Sequence, residues 1–253
     1  MAELGSLLPK ARRRIRRVLE KDELTRERVL AGAVRLLDVG MFRIGSEEYA
    51  DEEGGIGLAT LQKENVSIQD DQARFDYLAK RGLRRVQVID DPPAVQLVRE
   101  LKQRRSGGSQ LLAYRNGRRW HPLRSEDIND YVKERLGESF SAKDFRTWNA
   151  TVMAAVALAA EGHGATSKTA RKRVINSAVR AVAELLGNTP AVARRAYIDP
   201  RVIDRYLSGW TIAGALKQIP DLDPSDDGVR GKIEQAVLDL LADDRRSPAL
   251  EPS

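Results

Sequence analysis

Apolar residues recur at helical spacing through most of the chain and at strand spacing in one short stretch. In residues 6–21 and 25–39 the spacing predicts two helices. In the second, Thr25 stands at an N-cap position ahead of "RERVLAGAVRLL", with Val29, Ala33, Leu36 and Leu37 on one face. The glycines of "DEEGGIG" (51–57) mark a loop. The period then shortens. Within residues 66–90, "VSIQD", "FDYLAK" and "RRVQVID" read as short strands, and "KRG" as the hairpin turn between the last two. Pro92–Pro93 opens a helix that "SGG" ends, "LLAYRN" is a further candidate strand, and Ser125 is a capping-type residue opening the helix "SEDINDYVKERLG".

From residue 141 onwards the pattern is helical throughout, with only the final "SPALEPS" expected to be disordered. "SAKDFRTWNATVMAAVALAAEG" is apolar in its second half and predicts a buried helix. The next helix sets Val174, Ala178, Val182 and Leu185 on one face, and its first turns are dominated by Lys and Arg. Thr189 and Pro190 suit the start of a short helix carrying Tyr197, which Asp199–Pro200 ends. A last helix over 229–242 places Ile233, Val237 and Leu240 inward. The expected fold is mainly α with a small antiparallel β-sheet, an α+β arrangement. Residues 1–210 form the main domain, and 211–253 form a C-terminal helical extension with an acidic tail.

Composition narrows the chemistry. With 253 residues, 42% hydrophobic and 32% charged, the chain has the makeup of a globular protein with a sizeable core. There are no cysteines, and the two histidines, His121 and His163, lack ligand spacing, so neither thiolate chemistry nor a metal site is expected. No GxxxxGK[ST] or GxGxxG loop is present, so no nucleotide cofactor is expected. No apolar run reaches the length of a membrane span. Net charge is +6, with basic clusters at "PKARRRIRR", "KRGLRR", "KQRR", "RNGRR", "KTARKR" and "ARR" and an acidic "PDLDPSDDG". Any one cluster is a solvated helix face; six together point to a polyanion, most simply nucleic acid.

What remains for chemistry is tyrosine, lysine and arginine. A tyrosine can attack phosphorus and keep the bond energy in a phosphotyrosine ester. Arginine forks can stabilise charge on non-bridging oxygens, and a lysine can protonate a leaving oxygen. Taken singly, Tyr197 reads as a packing aromatic, Arg43 as a helix-end charge, Lys80 as a turn residue and Asn188 as a helix C-cap.

"LLDVGMFRIGSEEYA" (36–50), "FDYLAKRG" (75–82), "SAKDFRTWNA" (141–150) and "LGNTPAVARRAYIDP" (186–200) together resemble, in order, the signature blocks of type IB DNA topoisomerases, in the poxvirus-like and bacterial branch. The resemblance covers nearly all of residues 6–210. It implies that Tyr197 is the nucleophile, forming a 3′-phosphotyrosyl link and freeing a 5′-hydroxyl. Arg43 and Arg146 would bind the non-bridging oxygens, and Lys80 would be the general acid at a hairpin tip. Asn188, where viral relatives carry histidine, would donate a hydrogen bond. Lys143 matches an assisting lysine, Tyr49 a DNA-contacting tyrosine, and Arg194 joins the DNA-binding set.

By the same resemblance the partner is double-stranded DNA, the protein works as a monomer without cofactor or metal, and it sits in the cytoplasm on the bacterial nucleoid. Two departures from the family pattern stand out. The lysine block reads Ala79-Lys80-Arg81-Gly82, where glycine usually precedes the lysine and serine-glycine follows it, so Arg84 or Arg85 is an alternative contributor in place of Lys80. The start "MAELGSLLPKARRR" resembles the family's interdomain junction, so the N-terminal β-rich domain is expected to be absent. A tyrosine recombinase is the nearest rival, disfavoured because Lys143 stands where HxxR would place histidine. A DNA-binding remnant without catalysis is the other.

Overall fold

The computed structural model describes residues 1–45, 55–162, 164–219 and 226–252. Two compact units divide the chain: Lys10–Arg146, and Met1–Pro9 with Thr147–Ser253. The helix and sheet content agrees with the expected α+β class.

In the first unit, α2 (Arg26–Gly40) is the centre. Its predicted inward residues Val29, Ala33, Leu36 and Leu37 are fully buried, but so are Leu30, Ala31 and Val34, so the helix is covered on all sides. Thr25 caps it as expected, accepting the Arg28 N–H at 3.3 Å. Gly32 leaves room for Leu97, since a Cβ there would lie 1.9 Å from Leu97 Cδ2. The strands β1 (Val66–Gln69), β2 (Gln72–Ala79) and β3 (Leu83–Ile89) form one antiparallel sheet in sequence order, and Ala79 pairs with Leu83 across the predicted turn. Ala73, Phe75, Tyr77 and Ala79 face the core. α3 (Pro92–Gln103) follows, capped by Asp91.

Two local expectations change in this unit. "LLAYRN" contributes β4 (Ala113–Asn116), but "RRWHP" adds the partner β5 (Arg119–Pro122), and Gly117 at φ +57 makes the two-residue turn. Ser125 is the first residue of α4 (Ser125–Leu136), not its cap. Arg124 holds that position, its N–H donating to Asp127 Oδ2 at 2.9 Å. α1 (Ala2–Leu19) and α5 (Ala142–Glu161) each contribute residues to both units.

In the second unit, Trp148 is fully buried and its Nε1 donates to Glu234 Oε1 at 3.1 Å, fastening α5 to α10 (Asp227–Ala242). Gly5 sits against that indole, 2.4 Å from Trp148 Cη2 to the Cβ it lacks. α6 (Lys168–Leu186) buries Ile175, Ala178, Val179, Val182 and Leu186. The buried face is therefore turned about one residue from the predicted one, and Leu185 is exposed. α7 (Pro190–Ala196), α8 (Pro200–Leu207) and α9 (Ala213–Lys217) complete the helices.

The stretch beyond 141 is not wholly helical, and its tail up to Pro252 is ordered. β6 (Trp210–Thr211) pairs with β7 (Glu251–Pro252). The tail is anchored by the burial of Leu250 and by Ala215 N–H, which donates to Ala249 C=O at 2.9 Å.

Candidate active site

In the first unit the backbone fixes Arg43 before its side chain does anything. α2 ends at Gly40, and Met41 adopts a left-handed conformation at φ 53. Phe42 then plugs the core, edge-on to Phe75 at 4.9 Å and stacked on Tyr77 at 6.3 Å. The carbonyl of Arg43 accepts Leu58 N–H at 2.8 Å, and that of Ile44 accepts Ala59 N–H at 2.7 Å. Gly45, at φ +76, and Gly57 approach so closely that a Cβ on Gly57 would lie 2.4 Å from Gly45 Cα.

The same short loop reaches the lysine turn. Ile56 N–H donates to Leu78 C=O at 2.8 Å. Gly55, at φ +59, lies against the peptide before Lys80: a Cβ there would be 2.1 Å from Ala79 C and 2.2 Å from Lys80 N. Lys80 itself is exposed at the tip, followed by Arg81 at φ 64 and Gly82 at φ 67. One loop, 55–57, thus buttresses both Arg43 and Lys80, a role its glycines did not disclose as sequence.

Arg146, 3% exposed, lies one helical turn after exposed Lys143 on α5 and donates Nη1 to the Met41 carbonyl. Arg43, Arg85 and Arg146 all act on the Tyr77 phenol. Burial raises the Tyr77 pKa, and these three cations pull it the other way, Arg85 most strongly. The phenol donates to Gln87 Oε1 at 2.5 Å, and Gln87 Nε2 donates to Gly40 C=O. Arg85 pairs with Tyr77 in the ladder and shares its inner face. Arg84 faces outward and is engaged by Asp76, with Nε–Oδ1 at 2.8 Å and Nη2–Oδ2 at 2.7 Å.

In the second unit, α6 ends in left-handed Gly187, so Gly187 and not Asn188 is the C-cap. Asn188 follows it, half-buried, its N–H donating to Ala183 C=O at 2.9 Å. Thr189 caps α7 as expected, accepting Val192 N–H at 3.4 Å. Tyr197 is not within that helix but just past its end. It is half-exposed at φ −130, ψ −21, with its N–H on Ala193 C=O at 3.1 Å. Asp199 does not end α7; its carboxylate caps α8, accepting Arg201 N–H at 3.1 Å. Burial would raise the Asp199 pKa, but its hydrogen bonds to Arg201 hold it below the usual carboxylate range.

Thr151, fully buried on α5, ties down the turn. Its hydroxyl accepts Asp199 N–H at 3.1 Å and donates to Thr147 C=O at 2.8 Å, with Tyr197 C=O at 3.4 Å. A threonine inside an apolar helix gave no sequence signal of this role.

Arg43, Lys80, Lys143 and Arg146 thus belong to one unit, where the charges of Arg43 and Arg146 are both felt at the Tyr77 phenol. Asn188, Arg194 and Tyr197 belong to the other, where Asn188 and Tyr197 flank the seven-residue α7 and Arg194 is exposed on it. Tyr49 lies outside the described residues. Among the described residues no group of three or more His, Cys, Asp or Glu side chains could hold a metal ion.

Comparison with known proteins adds the following. Residues 1–216 match the family described as "Eukaryotic DNA topoisomerase I, catalytic core". DNA topoisomerase 1B of Acanthamoeba polyphaga mimivirus is 25% identical over 188 residues, covering 72% of this chain and 55% of that protein. DNA topoisomerase 1 of Candidozyma auris is 26% identical over 231 residues, 88% of this chain and 29% of that protein. The Schizosaccharomyces pombe DNA topoisomerase 1 is 31% identical over 133 residues, 52% of this chain and 15% of that protein. The chain therefore spans about half the length of the viral relative and less of the fungal ones.

Proposed function

The chain belongs to the DNA topoisomerase I catalytic-core family, and from that premise we propose that it relaxes supercoiled double-stranded DNA by transient cleavage of one strand. Tyr197 Oη attacks a backbone phosphorus, the P–O5′ bond breaks, and the enzyme is left as a 3′-phosphotyrosyl ester. Lys80 gives a proton to the departing 5′-oxygen, while the phenolic proton of Tyr197 passes to solvent, which reprotonates Lys80. Arg43 and Arg146 receive the charge that builds on the non-bridging oxygens, and Asn188 adds a neutral hydrogen-bond donor. Reversal by the 5′-hydroxyl reseals the strand after rotation.

The observation that carries this reading is the placement of Tyr197. It stands half-exposed at the end of a helix whose last turn is Arg194 and Arg195, in a turn held from beneath by Thr151. The finer attributes belong to the same proposal: a metal- and ATP-independent monomer of the poxvirus-like and bacterial branch, acting on nucleoid DNA. Asparagine at 188 supports the branch, and a single nucleophile per cleavage supports the monomer.

The test is relaxation of supercoiled plasmid in EDTA without ATP, beside Tyr197→Phe, with SDS trapping of covalent protein. Relaxed circles with a Tyr197-dependent adduct are expected. Salt-sensitive DNA binding with neither relaxation nor adduct would leave a binding module and sink the enzymatic reading. Strand-exchange products would move the chain to the recombinases.

A further inference from the structure

The exposed side of α1 has no part in that chemistry. Leu4, Leu8, Ala11, Ile15 and Leu19 make its buried stripe, and Arg12 beside them is held by Asp38 through Nε–Oδ2 and Nη2–Oδ1, both at 2.8 Å. Lys10, Arg13, Arg14 and Arg17 stand at i, i+3, i+4 and i+7, one face of the helix, and all four are exposed. Like charges at these spacings repel and weaken the helix.

Among the described residues no carboxylate is within ion-pair distance of any of the four; the one contact is Arg17 Nε to Arg13 C=O at 3.4 Å. Elsewhere on the surface Arg26, Arg84, Arg99 and Arg245 each meet an aspartate. Among the described residues the strip is a concentrated positive charge with no paired carboxylate, on a helix tied to α2 through Arg12–Asp38, and the C-terminal end of α2 leads into Arg43.

We propose that Lys10, Arg13, Arg14 and Arg17 form a sequence-independent docking strip for the phosphate backbone of duplex DNA, apart from the residues assigned to the scissile phosphate. This rests on the reading of the chain as a DNA enzyme. Seven residues of helix span roughly 10 Å, the rise of about three phosphates along one strand. Four cations along that length match such a run in both sign and reach. An anionic membrane is the other common partner of a basic helix, but it needs an apolar face free to insert. The apolar face of α1 is buried in the fold. The strip would hold duplex flanking the cleavage site, adding affinity and salt dependence but no base preference.

The test measures duplex binding against salt for the whole chain and for Lys10→Gln/Arg13→Gln/Arg14→Gln/Arg17→Gln. The slope of log K against log salt is expected to fall by about 3–4, at roughly 0.9 per lost phosphate contact. Because the chain has no cysteine, Arg14→Cys carries a unique thiol for a photo-crosslinker, and a crosslink to duplex is expected even if the fourfold variant folds poorly. An unchanged slope in a folded variant, or no crosslink at Arg14→Cys, overturns the proposal while a Tyr197-dependent adduct leaves the enzymatic reading intact. Loss of binding to phosphatidylserine vesicles with duplex binding unchanged also overturns it. Failure of the unaltered chain to bind duplex or form the adduct defeats the enzymatic reading first, and this inference with it.

Discussion

The Thr151 hydroxyl accepts the backbone N–H of Asp199 at 3.1 Å, joining α5 to the turn two residues beyond Tyr197. Its own proton goes to Thr147 C=O at 2.8 Å, so the oxygen is oriented to receive that N–H. Thr151→Val keeps the shape and removes the acceptor. Leaving the N–H unsatisfied costs about 1–3 kcal/mol. With half of this felt at the nucleophile, single-turnover cleavage slows by about 2- to 13-fold, since 1.36 kcal/mol in a barrier is tenfold. Duplex affinity should hold, and Thr151→Ser should restore the rate. Equal loss in Val and Ser variants would assign Thr151 to packing alone.

Two left-handed glycines near Lys80 separate strain from position. At Gly82, φ +67, a Cβ meets nothing within 4 Å, so Gly82→Ala carries only the conformational penalty of about 1–2 kcal/mol. At Gly55, φ +59, the added Cβ collides with Ala79 C at 2.1 Å and must push the lysine turn away. Thermal melts should therefore show Gly55→Ala as the less stable of the two. Single-turnover cleavage should fall further in Gly55→Ala than its stability loss explains. Matching cleavage rates in the two variants would detach the 55–57 loop from the placement of Lys80.

Along α2 runs a chain of largely buried charges. Arg12 and Arg35 share Asp38, which is 2% exposed, and Arg35 continues to Asp91 at 2.5 Å. Replacing Asp38 by alanine leaves two guanidinium groups facing each other without their shared anion. Breaking a buried pair from one side costs about 3–5 kcal/mol. The urea midpoint should drop accordingly, while Asp38→Asn should recover only part. A loss under about 1 kcal/mol would mean water reaches the site.

Much of this arrangement was legible in the chain because local rules were followed where they are strong. Thr25, Thr189 and Pro92 act as their types predict, and the period-2 stretch at 66–90 became the sheet that presents Lys80. Reading failed where a tertiary contact decided. Nothing local tells that Leu250 will be buried and draw Glu251–Pro252 into a strand pair, or that the α6 core face includes Ile175 and Leu186 and not Leu185. The candidate catalytic residues came from motif resemblance; their supports, Thr151 and Gly55, became visible only through a hydrogen bond and a steric distance.

Asp76 offers a pH signature for the hairpin. The Arg84 hydrogen bonds hold its carboxyl down to about 2 from an ordinary 3.8, with desolvation opposing them and Arg74 assisting. Between those values the folded state binds fewer protons than the unfolded chain. The contribution is thus complete above about pH 4 and is lost as pH falls towards 2. Carboxylate NMR should find Asp76 titrating near 2, and Arg84→Gln should move it up towards 3.8. A carboxyl that stays near 2 in that variant would transfer the effect to Arg74.

Whether Lys80 or Arg85 serves the leaving group can be decided by changing that group. A 5′-bridging sulfur leaves as a thiolate whose conjugate acid has a pKa of about 8.5, far below that of an alcohol, and so needs no proton. If Lys80 is the acid, Lys80→Ala should cleave an oxygen-bridged strand slower by about 10²–10⁴-fold, the usual worth of general acid catalysis, and a sulfur-bridged strand near the unaltered rate. Arg85→Ala acts differently. Arg85 sits beside Tyr77, whose phenol also feels Arg43 and Arg146, and a guanidinium does not give up its proton in a protein. Its removal weakens charge stabilisation around the phosphate, a loss that sulfur does not repair. Failure of the sulfur-bridged strand to rescue Lys80→Ala would take the hairpin tip out of the proton transfer.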